Sequence, residues 1–207
     1  MKKIFSYLGI LILLVFTAVV TYIFVPRPFQ VHYHANMVAY IDGKVWDFSK
    51  DIYMEEVSRC NVTTDVRPED RIHLHENNGN LVHVHMAGST WGDLTSNLLW
   101  NFGSGYIVDD YGQMYQSGSG KNLYFFVNGE LDLNPHNRIV SSEDRLLIWY
   151  GTGSAEEIQK KSDSLVPKTA AEYNHKADPA SCSANNYGFL AGIAGQVHEW
   201  MEHHDSK

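Results

Sequence analysis

Ile72-His73-Leu74-His75-Glu76-Asn77-Asn78-Gly79-Asn80-Leu81-Val82-His83-Val84-His85 alternates aliphatic residues with histidines on both sides of a polar turn. Side chains on a β-strand point to opposite faces with period two, so each run puts its histidines on one face and its aliphatic residues on the other. The turn sets the register, and a slip of one residue would send the two histidine pairs to opposite faces. A two-residue turn at Asn78-Gly79 does that. A type I turn over Glu76-Asn77-Asn78-Gly79, with Gly79 left-handed in a G1 bulge, instead lets Ile72, Leu74, Val82, Val84 and Met86 share one face. A core requires this second register. It predicts His73 opposite His83, with His75 and His85 as diagonal neighbours, all on an outward and accessible face.

A third pair, His32 and His34, brings six of the eleven histidines of this 207-residue chain into His-X-His spacing. It opens His32-Tyr33-His34-Ala35-Asn36-Met37-Val38-Ala39-Tyr40-Ile41, followed by Asp42-Gly43 and Lys44-Val45-Trp46-Asp47-Phe48. Asp-Gly between alternating runs predicts a two-residue hairpin pairing Ile41 with Lys44 and Ala39 with Trp46. Met37, Ala39, Ile41, Trp46 and Phe48 then form a core face. His32, His34, Asn36, Val38, Tyr40 and Asp47 form the other.

Facing strand positions hold their Cβ atoms about 4.5–5.5 Å apart, close enough for two imidazoles to converge on one ion with a third reaching in diagonally. Imidazole nitrogen suits zinc and copper. His73, His75, His83 and His85 are therefore the expected primary ligands of a copper or zinc ion. His32 and His34 join them if the two hairpins lie side by side. Glu76 and Asp47 are the carboxylates expected nearest, as oxygen ligands or as partners of the ligating rings. His136 and His175 read as loop residues, and His198, His203 and His204 as a solvated tail. By parity Met37 and Met86 belong to the core rather than to a thioether site.

Ahead of these hairpins, Ile4 to Val25 is free of charge and ends at Pro26-Arg27-Pro28. Its length suffices for a membrane-spanning helix and exceeds the usual signal-peptide core, and bulky Thr21-Tyr22-Ile23-Phe24-Val25 offers no cleavage site. Lys2 and Lys3 favour an inside N-terminus, which leaves the rest of the chain outside the cytoplasm. All 24 acidic residues follow this anchor, against 13 of the 16 basic ones, giving the remainder a formal charge of −11. Such a surface is a poor partner for nucleic acid or anionic lipid. Cys60 and Cys182, in an oxidising compartment, are expected to pair as a disulfide; a thiolate ligand or free thiols are the alternatives.

Further along, Ser89-Thr90-Trp91-Gly92-Asp93 predicts a capped helix with an apolar stripe at Trp91, Leu94, Leu98 and Leu99, ended by Gly103. Strands are expected at Tyr106–Val108, Tyr111–Tyr115, Leu123–Val127 and Asp144–Gly151, and a short helix near Asp51–Val57. Ser154-Ala155-Glu156-Glu157 is a capping box for a polar helix stopping near Pro167. Tyr187–His204 reads as an amphipathic helix with a stripe at Tyr187, Leu190, Ile193, Val197 and Trp200.

Hairpin, helix, strands and a final apolar strand follow one another over residues 71–151, an order that resembles the β-grasp (ubiquitin-like) arrangement. Phe126-Val127-Asn128-Gly129-Glu130 and Ser142-Glu143-Asp144-Arg145-Leu146-Leu147 resemble the closing strands of β-grasp domains of exported proteins, some of which bind cobalamin. Tyr33–Phe48 together with the hairpin at 71–86 resembles a group of uncharacterised membrane-anchored bacterial proteins with the same His-X-His arrangement, a group with no established activity to carry over. The fold serves many roles and implies no function by itself.

The expected protein is α+β. It has a transmembrane anchor (1–28), an extracytoplasmic β-grasp-like domain with an N-terminal hairpin (29–152), and a helical C-terminal appendage (153–207) offering its last helix to a protein partner. The expected function is transition-metal binding for uptake, buffering or transfer. A zinc-dependent hydrolase or hydratase is the second reading, and a protein-interaction module with a metal-free histidine patch is the third. No nucleophile motif, phosphate-cradling loop or His-Glu-X-X-His supports catalysis from the sequence.

Overall fold

The structure, a computed structural model, describes residues 2–24, 30–55, 67–103 and 105–176. Its elements are α1 (Lys2–Phe24), β1 (Gln30–Ile41), β2 (Lys44–Val45), α2 (Pro68–Arg71), β3 (Ile72–His73), β4 (Leu81–Met86), α3 (Trp91–Asn97), β5 (Asn101–Gly103), β6 (Tyr106–Val108), β7 (Met114–Gln116), β8 (Asn122–Val127), β9 (Glu130–Leu131), β10 (Arg145–Gly151), α4 (Ala155–Leu165) and α5 (Ala170–Asn174). The fold class is mixed α+β, with a mixed sheet and few helices.

α1 falls in a compact unit distinct from that of the strands. Side chains are described at Tyr7 and from Gly9 to Val20. Among the described residues no helix is long and apolar enough to cross a membrane. The span expected over Ile4–Val25 lies partly outside them, as do Cys60, Cys182 and the helix expected at Tyr187–His204.

Within Phe29–Ser183, which forms one compact unit, the main sheet has the order β3-β4-β1-β10-β8-β9, with β2 hairpinned onto β1. β1 pairs parallel to β10, Asn36 with Arg145 through Ile41 with Tyr150. Its other edge pairs antiparallel to β4, Tyr33 with Val84 through Asn36 with Leu81. β1 therefore separates the histidine hairpin from the closing strand.

Both faces of this sheet are covered. On one, Met37, Ala39, Val82, Val84, Leu146 and Ile148 pack with Trp91, Leu94 and Leu98 of the α3 region and with Phe102 and Ile107 of the small sheet β5-β6-β7. Val38, Phe126 and Leu147 on the other face pack with Ile158 and Val166 around α4. α4 starts at the expected box, where Ser154 Oγ accepts from Glu157 N and Ser154 N donates to the Glu157 carboxylate. Residues 155–174, the described part of the expected appendage, pack within this compact unit.

Local chemistry explains the ends of elements. Asp42 and Gly43 take φ of 51° and 78°, the type I′ hairpin expected of Asp-Gly, and Trp46 N donates to Ala39 O at 2.8 Å. α3 is capped by Thr90 and Asp93 as expected, but it ends at Asn97 because Leu99 turns left-handed at φ 59°, leaving Leu99 exposed rather than in the stripe. The short helix expected near Asp51–Val57 is a single 3₁₀ turn at Asp51–Tyr53. The strand expected over Tyr111–Tyr115 begins only at Met114.

The histidine hairpin keeps the expected register through a different turn. Asn78 N donates to His75 O at 3.1 Å with Glu76 and Asn77 left-handed at φ 58° and 55°, a type I′ turn, and Gly79 is not left-handed. Gly79 is required for space instead, since a Cβ there would lie 2.6 Å from both Phe48 C and Ser49 N. Both neighbours are backbone and cannot swing away. Gly79→Ala is therefore expected to destabilise the fold by about 1–3 kcal/mol, the usual cost of overpacking, in a denaturant titration. A loss below about 0.5 kcal/mol would show that the loop over Phe48-Ser49 yields freely.

Candidate metal centre

Three adjacent strands carry five of the six histidines, and His75 follows two residues past the end of β3. His73 pairs with His83, and His83 with His34, so these three stand in a row across β3, β4 and β1. Their flanking partners, Ile72 with Val84 and Ala35 with Val82, face the opposite way into the core. The side-by-side hairpins on which the participation of His32 and His34 depended are present. Ring centroids lie 3.6 Å apart for His75–His83, 4.5 Å for His34–His83, 4.9 Å for His73–His85 and 5.0 Å for His32–His85.

Hydrogen bonds set which nitrogen each ring presents. His34 N and Nδ1 both lie 2.8 Å from Asn174 Oδ1, while Asn174 Nδ2 donates to Ser142 Oγ at 3.0 Å. The amide oxygen thus faces His34, whose Nδ1 donates; in the neutral ring Nε2 then holds the lone pair. His73 Nδ1 donates to the Glu69 carbonyl at 2.7 Å, with the same consequence. Between His75 Nε2 and His83 Nδ1, 2.8 Å apart, one proton is shared. When His83 Nδ1 is the donor, His83 Nε2 is the lone-pair nitrogen, the arrangement that metal-ligating histidines adopt.

The ring nitrogens of His32, His83 and His85 all lie within 4.8 Å of one another, and this triad could hold a metal ion. His83 Nε2 and His85 Nε2 are buried and have no hydrogen-bond partner among the described residues. Ligands at about 2.0–2.1 Å in tetrahedral geometry sit about 3.4 Å from one another, so the rings need to turn inward by about an ångström to close on an ion. The site is gathered but open. Of the expected set, His34, His73 and His75 fall outside the triad and pack against it.

Neither expected carboxylate takes part. Asp47 accepts from Ser49 N at 3.0 Å and Ser49 Oγ at 2.6 Å, closing its own loop. Glu76 is exposed at the hairpin turn. No Asp, Glu or Cys belongs to the triad among the described residues. His136 sits in the 3₁₀ turn Pro135–Asn137, its ring 6.3 Å from that of Phe102, and His175 caps the end of α5, exposed.

The outward, accessible face expected for these residues is corrected by the structure. His34, His73, His75, His83 and His85 are 1–8% exposed, and His32 alone is half-buried. α5 lies against β1, with the Tyr173 ring 5.9 Å from that of His34, and α2 lies against β3 and β4. Asn36, wholly buried beside His34, fastens α5: its Nδ2 donates to Thr169 Oγ1 and Asn80 O, and its Oδ1 accepts from Ala170 N. Asn36 and Asn174 are the residues that sequence reasoning missed. Only the position of Asn36, two residues beyond His34 on the same face, could have hinted at them.

Burial, then the neighbouring imidazoles, pushes His83 well below the ordinary histidine pKa. The same two causes push His85 down to about 2. Both rings are neutral when folded and take up a proton on unfolding below the ordinary value of 6.5. The unfolded chain then binds more protons than the folded one, so stability falls as pH falls. Between about pH 7.5 and about pH 5.5 each ring should cost about 1.4 kcal/mol of unfolding free energy. Urea titrations at the two pH values test this, and the His83→Gln variant should show a smaller loss. Equal stability at both would mean that the rings charge freely in the folded state.

No protein-family model matches this chain, and comparison with curated proteins and with solved structures yields no match.

Proposed function

We propose that this chain is a membrane-anchored, extracytoplasmic protein that binds a transition metal, copper or zinc, for uptake, buffering or transfer. One observation carries the binding: ring nitrogens of His32, His83 and His85, from two adjacent strands, lie within 4.8 Å of one another, and His83 Nε2 and His85 Nε2 are buried with no hydrogen-bond partner among the described residues. Leaving a polar nitrogen buried and unsatisfied costs about 1–3 kcal/mol, and apolar side chains at the same positions would pack without that cost. A metal ion turns the same nitrogens into ligands. Nitrogen donors suit zinc and copper over calcium or magnesium, which take oxygen. His34, His73 and His75 support the triad through their contacts and hydrogen bonds.

Placement outside the cytoplasm rests on the uncharged stretch Ile4–Val25 behind Lys2 and Lys3, and the acidic surface argues against nucleic acid as a partner. The mixed sheet supports a β-grasp-like architecture built over residues 30–151, with β1 and β10 as the parallel central pair and α3 packed across one face.

Elemental analysis of the purified chain after loading with zinc or copper(I) and removal of excess tests the function. About one ion per chain is expected, and the His83→Ala/His85→Ala variant should retain none. With free metal about a hundredfold above its dissociation constant, unfolding free energy should rise by about 2.7 kcal/mol. A chain that keeps neither metal, or a double variant that keeps it unchanged, overturns the proposal.

A further inference from the structure

The donors of the triad leave its coordination shell short. His32, His83 and His85 supply three nitrogens, and no carboxylate or thiolate joins them among the described residues. Of the other three histidines, His34 and His73 lie outside the triad, with Nδ1 bonded to Asn174 and to the Glu69 carbonyl, and His75 is bonded to His83 itself. The last of these is decisive for role. At 2.8 Å from His83 Nδ1, His75 Nε2 is the acceptor that a ligating His83 needs, and a nitrogen accepting that proton cannot at the same time give its lone pair to the ion.

Charge sharpens the point. Three neutral imidazoles leave a divalent ion with its full charge, inside a pocket where His83 and His85 are 2% and 8% exposed. The acidic groups expected to offset it, Asp47 and Glu76, are engaged elsewhere or exposed at a turn. A desolvated cation of this kind favours an anion as its next ligand, since that lowers the net charge without bringing further protein groups into the pocket. Three protein ligands plus an exchangeable fourth is also the composition of zinc sites that are not sealed.

We propose that the histidine triad holds its ion with an open fourth position that takes a small exogenous anion, hydroxide in plain water and azide or thiocyanate when supplied, with His75 as the positioning residue that orients His83. This rests on the metal-binding function proposed above and adds what the bound ion can in turn bind.

Cobalt(II) is a suitable probe, because its visible bands report coordination number and ligand exchange. The full-length chain in detergent would be loaded with cobalt(II) and titrated with sodium azide. The expected result is about one cobalt per chain, intense bands of four-coordinate type, and a saturable band shift on azide addition. His75→Gln, which keeps an acceptor for the His83 proton, should still bind cobalt and respond to azide. His75→Leu should bind cobalt at least tenfold more weakly, in line with the usual cost of losing a partner of a ligating ring. Three results would overturn the open position while leaving metal binding intact. They are bands unmoved by azide or thiocyanate, a thiolate-to-cobalt charge-transfer band showing a protein sulfur in the fourth place, and stoichiometric copper(I) uptake with no cobalt or zinc. Equal cobalt affinity in the Leu, Gln and parent chains would overturn the role of His75 alone. A chain that holds no metal of any kind removes the triad as a site, and the open position with it.

Discussion

Pleat phase across β3, β4 and β1 governs everything at this site. Residues paired across neighbouring strands point to the same side of the sheet, so His73, His83 and His34 stand together only because Ile72–Val84 and Val82–Ala35 are in phase on the other side. The aliphatic face holds the phase, since it is buried against α3 and the small sheet and cannot be turned outward without exposing the core. The imidazole face follows from it. Packing on one side of the sheet thus fixes the placement of the histidines on the other.

The second face shows a graded design along β1. From Tyr40 and Val38, which pack with the apolar residues around α4, the strand passes to Asn36 and then to His34 and His32. Its cover changes in step, from Ile158 and Val166 to Thr169, Tyr173 and Asn174. Asn36 and His34 each meet a polar group on this cover, which is how buried amides and imidazoles are kept from costing their full desolvation. At the triad this matching stops. His83 Nε2 and His85 Nε2 are buried with no hydrogen-bond partner among the described residues.

Much of this was legible from residue order. Alternation in Ile72–Leu74 and Leu81–His85 specified which residues share a face, and Asp42-Gly43 specified a hairpin whose pairing of Ile41 with Lys44 is observed. The capping boxes at Thr90 and Ser154 marked where helices begin. Burial of the histidines was not legible, because the helices against their strands, Pro68–Arg71 and Ala170–Asn174, are too short to carry a periodic pattern. The pairing of β1 with β10 was equally hidden: a parallel contact between residues more than a hundred positions apart leaves no local mark. Turn chemistry misled at Gly79, where the glycine answers to the backbone of Phe48 and Ser49 and not to a left-handed φ.

The parallel pairing of Asn36–Ile41 with Arg145–Tyr150 has a kinetic corollary. The chain must deliver β10 to its place before β1 is held on both edges, and β1 carries one of the three triad histidines. Contacts of such long sequence separation pay their loop-closure entropy before they return any stability, so they form slowly and late. A nascent chain emerging from its N-terminus therefore exposes His32 and His34 long before His83 and His85 can join them. The triad needs β1 and β4 to pair, so under the function proposed above metal capture would mark a chain in which that pairing has formed.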